Sequence, residues 1–271
     1  RNHSSAASDV YKRQVIGEEK GDLSGNSVSL SSDGSVVAIG AYGNDGNGFN
    51  SGHVRIYQNL NGTWTKIGSD IEGESHSDKS GYSVDLSADG SVVAIGAFYN
   101  FANGNQSGHV RIYQNNNGTW EKIGDDIDGE AAGDQSGNSV SLSVDGSVVA
   151  IGAHGHDFGR GHVRIYQNNK GTWQQIGDDI DGEAAGDFSG SSVSLSSDGS
   201  VVAIGAYLND GDGERSGHVR IYRNNDGTWE KVGDDIEGEA IGDQSGSVSL
   251  SADGSVVAIG AINNKNNSEN R

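Results

Sequence analysis

Four histidines recur at one fixed spacing before an arginine: His53 with Arg55, His109 with Arg111, His162 with Arg164, and His218 with Arg220. Imidazole ligates metals and carries protons near neutral pH, so one such pair per repeat could line a site. A charged side chain recurring on a half-buried strand reads equally as part of a hydrogen-bond network, because it must be paired. Metal ligation by these histidines would require them to converge. Equivalent residues of different repeats converge only around a central axis.

Acidic residues recur as well. Asp126, Asp128 and Glu130 return as Asp179, Asp181 and Glu183, and again as Asp235, Glu237 and Glu239. Calcium takes about six to eight oxygen ligands, and carboxylates two residues apart beside a glycine turn supply several, so these nine are candidate calcium ligands. Their spacing is not that of an EF-hand loop, and a solvated acidic face would look the same. The loops 44–50 and 209–214 share an Asn-Asp-Gly form, and Asn209, Asp210 and Asp212 are candidate ligand-binding residues. Trp64, Trp120, Trp173 and Trp229 fall once per repeat. Exposed, they would stack on sugar rings; half-covered, their area would instead dominate packing between repeats.

Classical catalytic signatures are missing. The chain has no cysteine, no His-Glu-x-x-His and no Gly-x-Ser-x-Gly elbow between a strand and a helix. Near-identity of the repeats also leaves no unit set apart as an active site, so the expectation is a protein without catalysis. The rival expectations are a glycan-cleaving enzyme with acids facing a central channel and a purely structural spacer.

All of these residues hang from one nonamer, Asp-Gly-Ser-Val-Val-Ala-Ile-Gly-Ala, found unchanged at 33–41, 89–97, 145–153, 198–206 and 253–261. Its successive spacings are 56, 56, 53 and 55 residues, a period that marks a repeat architecture. Val-Val-Ala-Ile is β-prone and does not alternate, so it predicts a strand covered on both faces. The Asp-Gly before it predicts a tight hairpin to the alternating segment upstream. In the second unit, strands are expected over 83–87, 91–98, 109–114 and 119–124, with an acidic crossing at 125–137. Four antiparallel strands in about 55 residues is the form of a β-propeller blade. The fold expected is therefore all-β, a propeller of about 4.5 repeats, either an incomplete or a five-bladed ring.

Composition narrows the partners. Gly numbers 44 and Pro, Cys and Met are all zero, so turns rest on glycine and no disulfide can form. A formal charge of −20 argues against sequence-independent nucleic-acid binding, and no apolar run reaches the roughly 18 residues of a membrane helix. Residues 1–14 match no part of the repeat, which resumes in register at Val15; the reading is a non-repeat leader, a propeller domain over 15–262 and a polar tail over 263–271. That boundary also suggests a repeat entered partway through.

The units resemble the FG-GAP repeat of integrin α-chain propellers and of many bacterial surface proteins. Gly81-Tyr82-Ser83-Val84 stands where that family has Phe-Gly-x-Ser-Val, Gly96-Ala97-Phe98 stands for Gly-Ala-Pro, and the segment 108–113 stands for Gly-x-Val-x-Val-Tyr. The family's calcium loop, Asp-x-Asp-x-Asp-Gly, is here a bare Asp-Gly hairpin. The resemblance implies a monomeric binding module for protein or glycan ligands, held on the variable loops between strands two and three. It would form part of a larger extracellular or cell-surface adhesion protein, with calcium as the one possible cofactor.

Overall fold

The computed structural model describes residues 14–264. The expected leader and tail lie, but for residues 14, 263 and 264, outside the described residues. Each period folds into one antiparallel sheet. In the second unit the strands are Ser83–Leu86, Val92–Ala97, His109–Asn116 and Thr119–Lys122, paired in chain order. A two-residue strand that the sequence reading missed, Ile127–Asp128, adds to the far side of the third strand and sets Asp128 opposite His109. Units one, three and four repeat this arrangement, and the fifth is described by two strands, Ser245–Leu250 and Val257–Ala261.

The first strands of successive units lie against one another, which arranges the sheets around a common axis as propeller blades. Between neighbours runs a continuous apolar seam. Val36, Ala38, Val54 and Ile56 of unit one pack on Val84, Leu86, Val93 and Ile95 of unit two, and the same contact recurs at the next two seams. The nonamer strand is thus covered by one neighbour on each face, and in units two to four all six residues are buried. The expectation of full covering does not extend to the outermost units. In the fifth unit Val256 is 64% exposed where its counterparts Val92 and Val148 are 5% and 6%, because no unit packs on that face among the described residues.

Two features fix the glycine before the last alanine and the leading aspartate of the nonamer. At Gly96 a methyl group would overlap the Gly137 carbonyl of the next unit and the Ser83 hydroxyl, so only glycine permits the approach. At the hairpin, Asp89 accepts hydrogen bonds from the Ser87 hydroxyl and from the amide and hydroxyl of Ser91. The hairpins are also tied to one another. Amides of Ser32, Ala88, Val144 and Ser197 each donate to a carbonyl of the following unit's turn, at Ala88, Val144, Ser197 and Ala252, all at 2.8 Å.

Candidate functional site

A recess with aromatic walls lies where the units meet around the axis, a cavity of about 560 Å³. Three positions per unit build it. The residue two before the glycine that opens the first strand is Leu23, Lys79, Gln135, Phe188 or Gln244. All five adopt a left-handed backbone, with φ between 55° and 57°. For an L-residue that conformation costs about 1–2 kcal/mol, and three of the five, Lys79, Gln135 and Gln244, line the recess. The residue after that glycine is Asn26, Tyr82, Asn138 or Ser191 in the first four units, and the residue after Gly-Ala is Tyr42, Phe98, His154, Tyr207 or Ile262. Units that are near-copies elsewhere therefore present different chemistry at these three places.

The rings form a nearly continuous wall. Tyr82 lies 5.4 Å from Tyr42 and 4.2 Å from Phe98, and Phe188 bridges His154 and Tyr207 at 5.5 and 5.9 Å. Lys79 Nζ sits 3.9 Å from the centre of Tyr99 and 5.2 Å from that of Phe98, a cation held by π faces. Burial raises the Tyr82 phenol pKa and pushes His154 down to about 4. His154 is therefore a neutral imidazole near pH 7, and its Nδ1 has no hydrogen-bond partner.

The tryptophans lie elsewhere. Trp120, Trp173 and Trp229 are half-buried, and each indole N–H donates to a carbonyl of the preceding unit, at Ile67, Ile123 and Ile176, over 3.0, 2.9 and 2.8 Å. They clasp the seams, with one edge facing a shallow cleft beside the acidic crossing, whereas Trp64 has no earlier unit to clasp among the described residues. In the loop 209–214, the Asn209 amide donates to Asp187 while its Oδ1 accepts from Gly211, and Asp210 accepts from the Arg215 amide. These oxygens are spent on the loop itself, and only Asp212 points free of such bonds.

The nine acidic candidates do not converge as three calcium clusters. Asp126 meets His109 of its own unit, whereas Glu130 crosses to His162 of the next. Likewise Glu183 joins His218 and Asp235, and Asp179 lies 3.6 Å from His162. Asp128 and Glu237 stand 4.0 Å from His109 and His218, and Asp181 faces Arg160 at 3.7 Å. Glu239 is exposed and joins no such group, since the fifth unit has no described strand carrying a histidine. Each acidic run is therefore split between two seams. The expected histidine network is corrected too: His109 and His162 are 1% and 0% exposed, and neither ring nitrogen of either has a hydrogen-bond partner. It is the arginines that stitch, for Arg111, Arg164 and Arg220 donate to the carbonyls of Glu72, Asp128 and Asp181 at 2.7 Å.

These sheets and their shared axis define a β-propeller, and comparison with known proteins agrees. The FG-GAP repeat matches residues 17–57 and 180–222, so the chain carries repeats of that type in those two stretches. No curated protein matches the sequence. Among solved structures, the periplasmic gluconolactonase PpgL of Pseudomonas aeruginosa superposes with a TM-score of 0.61 at 17% identity, covering 91% of this chain and 66% of that one. Hydrazine synthase of Kuenenia stuttgartiensis gives 0.57 at 12%, covering 87% and 61%, and TolB of Acinetobacter baumannii 0.50 at 16%, covering 86% and 46%. The chain thus spans less than two thirds of the length of each. Likeness at this identity carries the fold alone. It is nonetheless a fold used by a gluconolactonase, and the units do differ at the mouth, so the expectation of a protein without catalysis does not stand.

Proposed function

We infer that this propeller is a ligand-binding module taking a sugar-like molecule at the axial mouth. The observation that carries this reading is the convergence of the three varied positions on one recess, with three of the residues that line it, Lys79, Gln135 and Gln244, held in a costly backbone conformation. Strain of this kind persists where the surroundings hold a residue for a task. Tyr82, Tyr99 and Tyr207 offer faces for a sugar ring, and Gln135, Asn138 and Ser191 offer donors and acceptors for hydroxyls. Lys79 adds a cation in a chain of net charge −20, which favours a carboxylated sugar over a neutral one. A place within a larger surface-exposed protein fits such a module.

The test is calorimetric titration with a panel of neutral and acidic oligosaccharides. Saturable binding is expected, with Tyr99→Ala weakening it about tenfold or more, equivalent to ~1.4 kcal/mol, and Lys79→Met weakening acidic sugars selectively. Absence of saturable binding across the panel, or an unchanged affinity in Tyr99→Ala, would refute the assignment. A second reading, favoured by the neutral and unpaired His154, is hydrolysis of a sugar lactone in the same recess. Its mark is lactone turnover that His154→Gln abolishes.

A further inference from the structure

One seam differs from the others. In units one, two and four a buried aspartate in the crossing holds an asparagine from the loop between strands two and three: Asp22 with Asn44, Asp78 with Asn100, and Asp187 with Asn209. In unit three that slot holds His156, whose Nδ1 lies 3.1 Å from Asp134 Oδ1. Asp134 is 2% exposed, and its other oxygen accepts the amides of Glu130 and Ala131 at 3.1 and 2.8 Å. A carboxylate so supplied with donors is an acceptor, so the facing Nδ1 carries the hydrogen and Nε2 is left with its lone pair.

The ring of His156 stacks on that of His162, with centroids 4.1 Å apart and planes at 23°. His162 is fully buried with both nitrogens unpartnered. Ligating atoms of Glu130, His156 and His162 all lie within 4.8 Å of one another. Asp179 stands 3.6 Å from His162, and Arg164 lies 3.5 Å from Glu130 as the competing cation. Leaving an imidazole buried without partners is costly, and a metal ion at this point would relieve it.

We propose that Glu130, His156 and His162 form a binding site for one divalent transition ion of the zinc type, specific to the third seam. Two imidazoles and a carboxylate suit such an ion better than calcium, which prefers all-oxygen shells. Donors about 2.0–2.1 Å from a tetrahedral ion stand roughly 3.3 Å apart, so binding requires the stacked rings to turn until both lone pairs meet at one ion. Asp134 is a positioning residue, orienting His156 as carboxylates orient metal-bound histidines. The three other seams offer one histidine with two carboxylates and serve as internal controls.

The experiment titrates the metal-free chain with Co²⁺, following its visible absorption, and then displaces it with Zn²⁺. One ion per chain is expected, with a tetrahedral-type spectrum lost on adding zinc and a raised unfolding temperature with either metal. His156→Asn places in unit three the residue the other units carry, so the fold is retained while stoichiometric binding is lost. Asp134→Asn should keep the site but weaken it about 10–100-fold. Glu130→Gln provides a second variant with no buried group removed. Wild-type protein that binds no cobalt or zinc, or His156→Asn that binds as wild type does, would overturn the proposal. Four equivalents of equal affinity would overturn its specificity to the third seam.

Discussion

If Lys79, Gln135 and Gln244 at the mouth are held in left-handed backbone for the sake of a ligand, relieving that conformation should strengthen the fold and weaken the site. Gln135 and Gln244 are the cleanest positions, since their φ angles are 56° and 55° and neither takes part in the cation–π cluster around Lys79. The left-handed conformation costs an L-residue about 1–2 kcal/mol, and glycine gives back about 0.5–1 kcal/mol through its greater freedom when unfolded. Each substitution to glycine should therefore stabilise by roughly 0.5–1 kcal/mol. The Gln135 amide still donates to the Gln106 carbonyl and the Gln244 amide to that of Arg215, so no backbone bond is lost. Because the residues belong to different units and share no partner, the double variant should gain about 1–2 kcal/mol. Denaturant midpoints at constant slope measure this, and calorimetry with the best sugar of the panel measures the accompanying loss of affinity. Variants that unfold at lower denaturant while binding as wild type does would refute the argument on both counts.

Two further outcomes test the packing. Gly96→Ala forces a methyl against the Gly137 carbonyl and Ser83 hydroxyl; a destabilisation of about 1–3 kcal/mol is expected, read as a lower denaturant midpoint, and a neutral result would contradict the close approach of units two and three. Asp85 stands where units one and three have Ser29 and Ser141, and it accepts bonds from Ser29, Leu86 and Leu142. Burial still raises its pKa above the usual carboxylate range. A raised folded-state pKa means that its contribution is fullest below the unfolded value and is lost as pH rises through the folded one. Wild type should therefore lose stability relative to Asp85→Ser as pH rises above the ordinary aspartate value of about 4; a difference independent of pH would show that the carboxyl is not desolvated.

The blade was legible in the sequence because period, alternation and Asp-Gly turns act locally, and each strand needed only its own residues to be recognised. What was not legible depends on register between units. Trp120 offers the same pattern whether its indole N–H meets solvent or the Ile67 carbonyl 53 positions earlier, and only the seam decides. Asp126 and Glu130 are four residues apart, yet the crossing segment turns between them and sends each to a different histidine. His156 carried a signal that alignment of the units could have given, for it replaces Asn44, Asn100 and Asn209 in the unit whose spacing is 53 rather than 55 or 56. The variable loops between strands two and three are legible as separate stretches, but that the residues at their roots, Phe98, His154 and Tyr207, line one recess depends on how the units are placed against one another.

The turn-to-turn amide bonds along the inner floor carry a consequence for how such a molecule can change in size. Every link joins the same two atoms of the hairpin, from the Ser32–Ala88 link to the Ser197–Ala252 link, so the two sides of any excised blade are already shaped to join each other. Gaining or losing a whole blade leaves the chain of links uninterrupted, whereas a partial one leaves an amide and a carbonyl facing nothing. Growth by duplication of entire repeats is thus the mode of change that the floor permits.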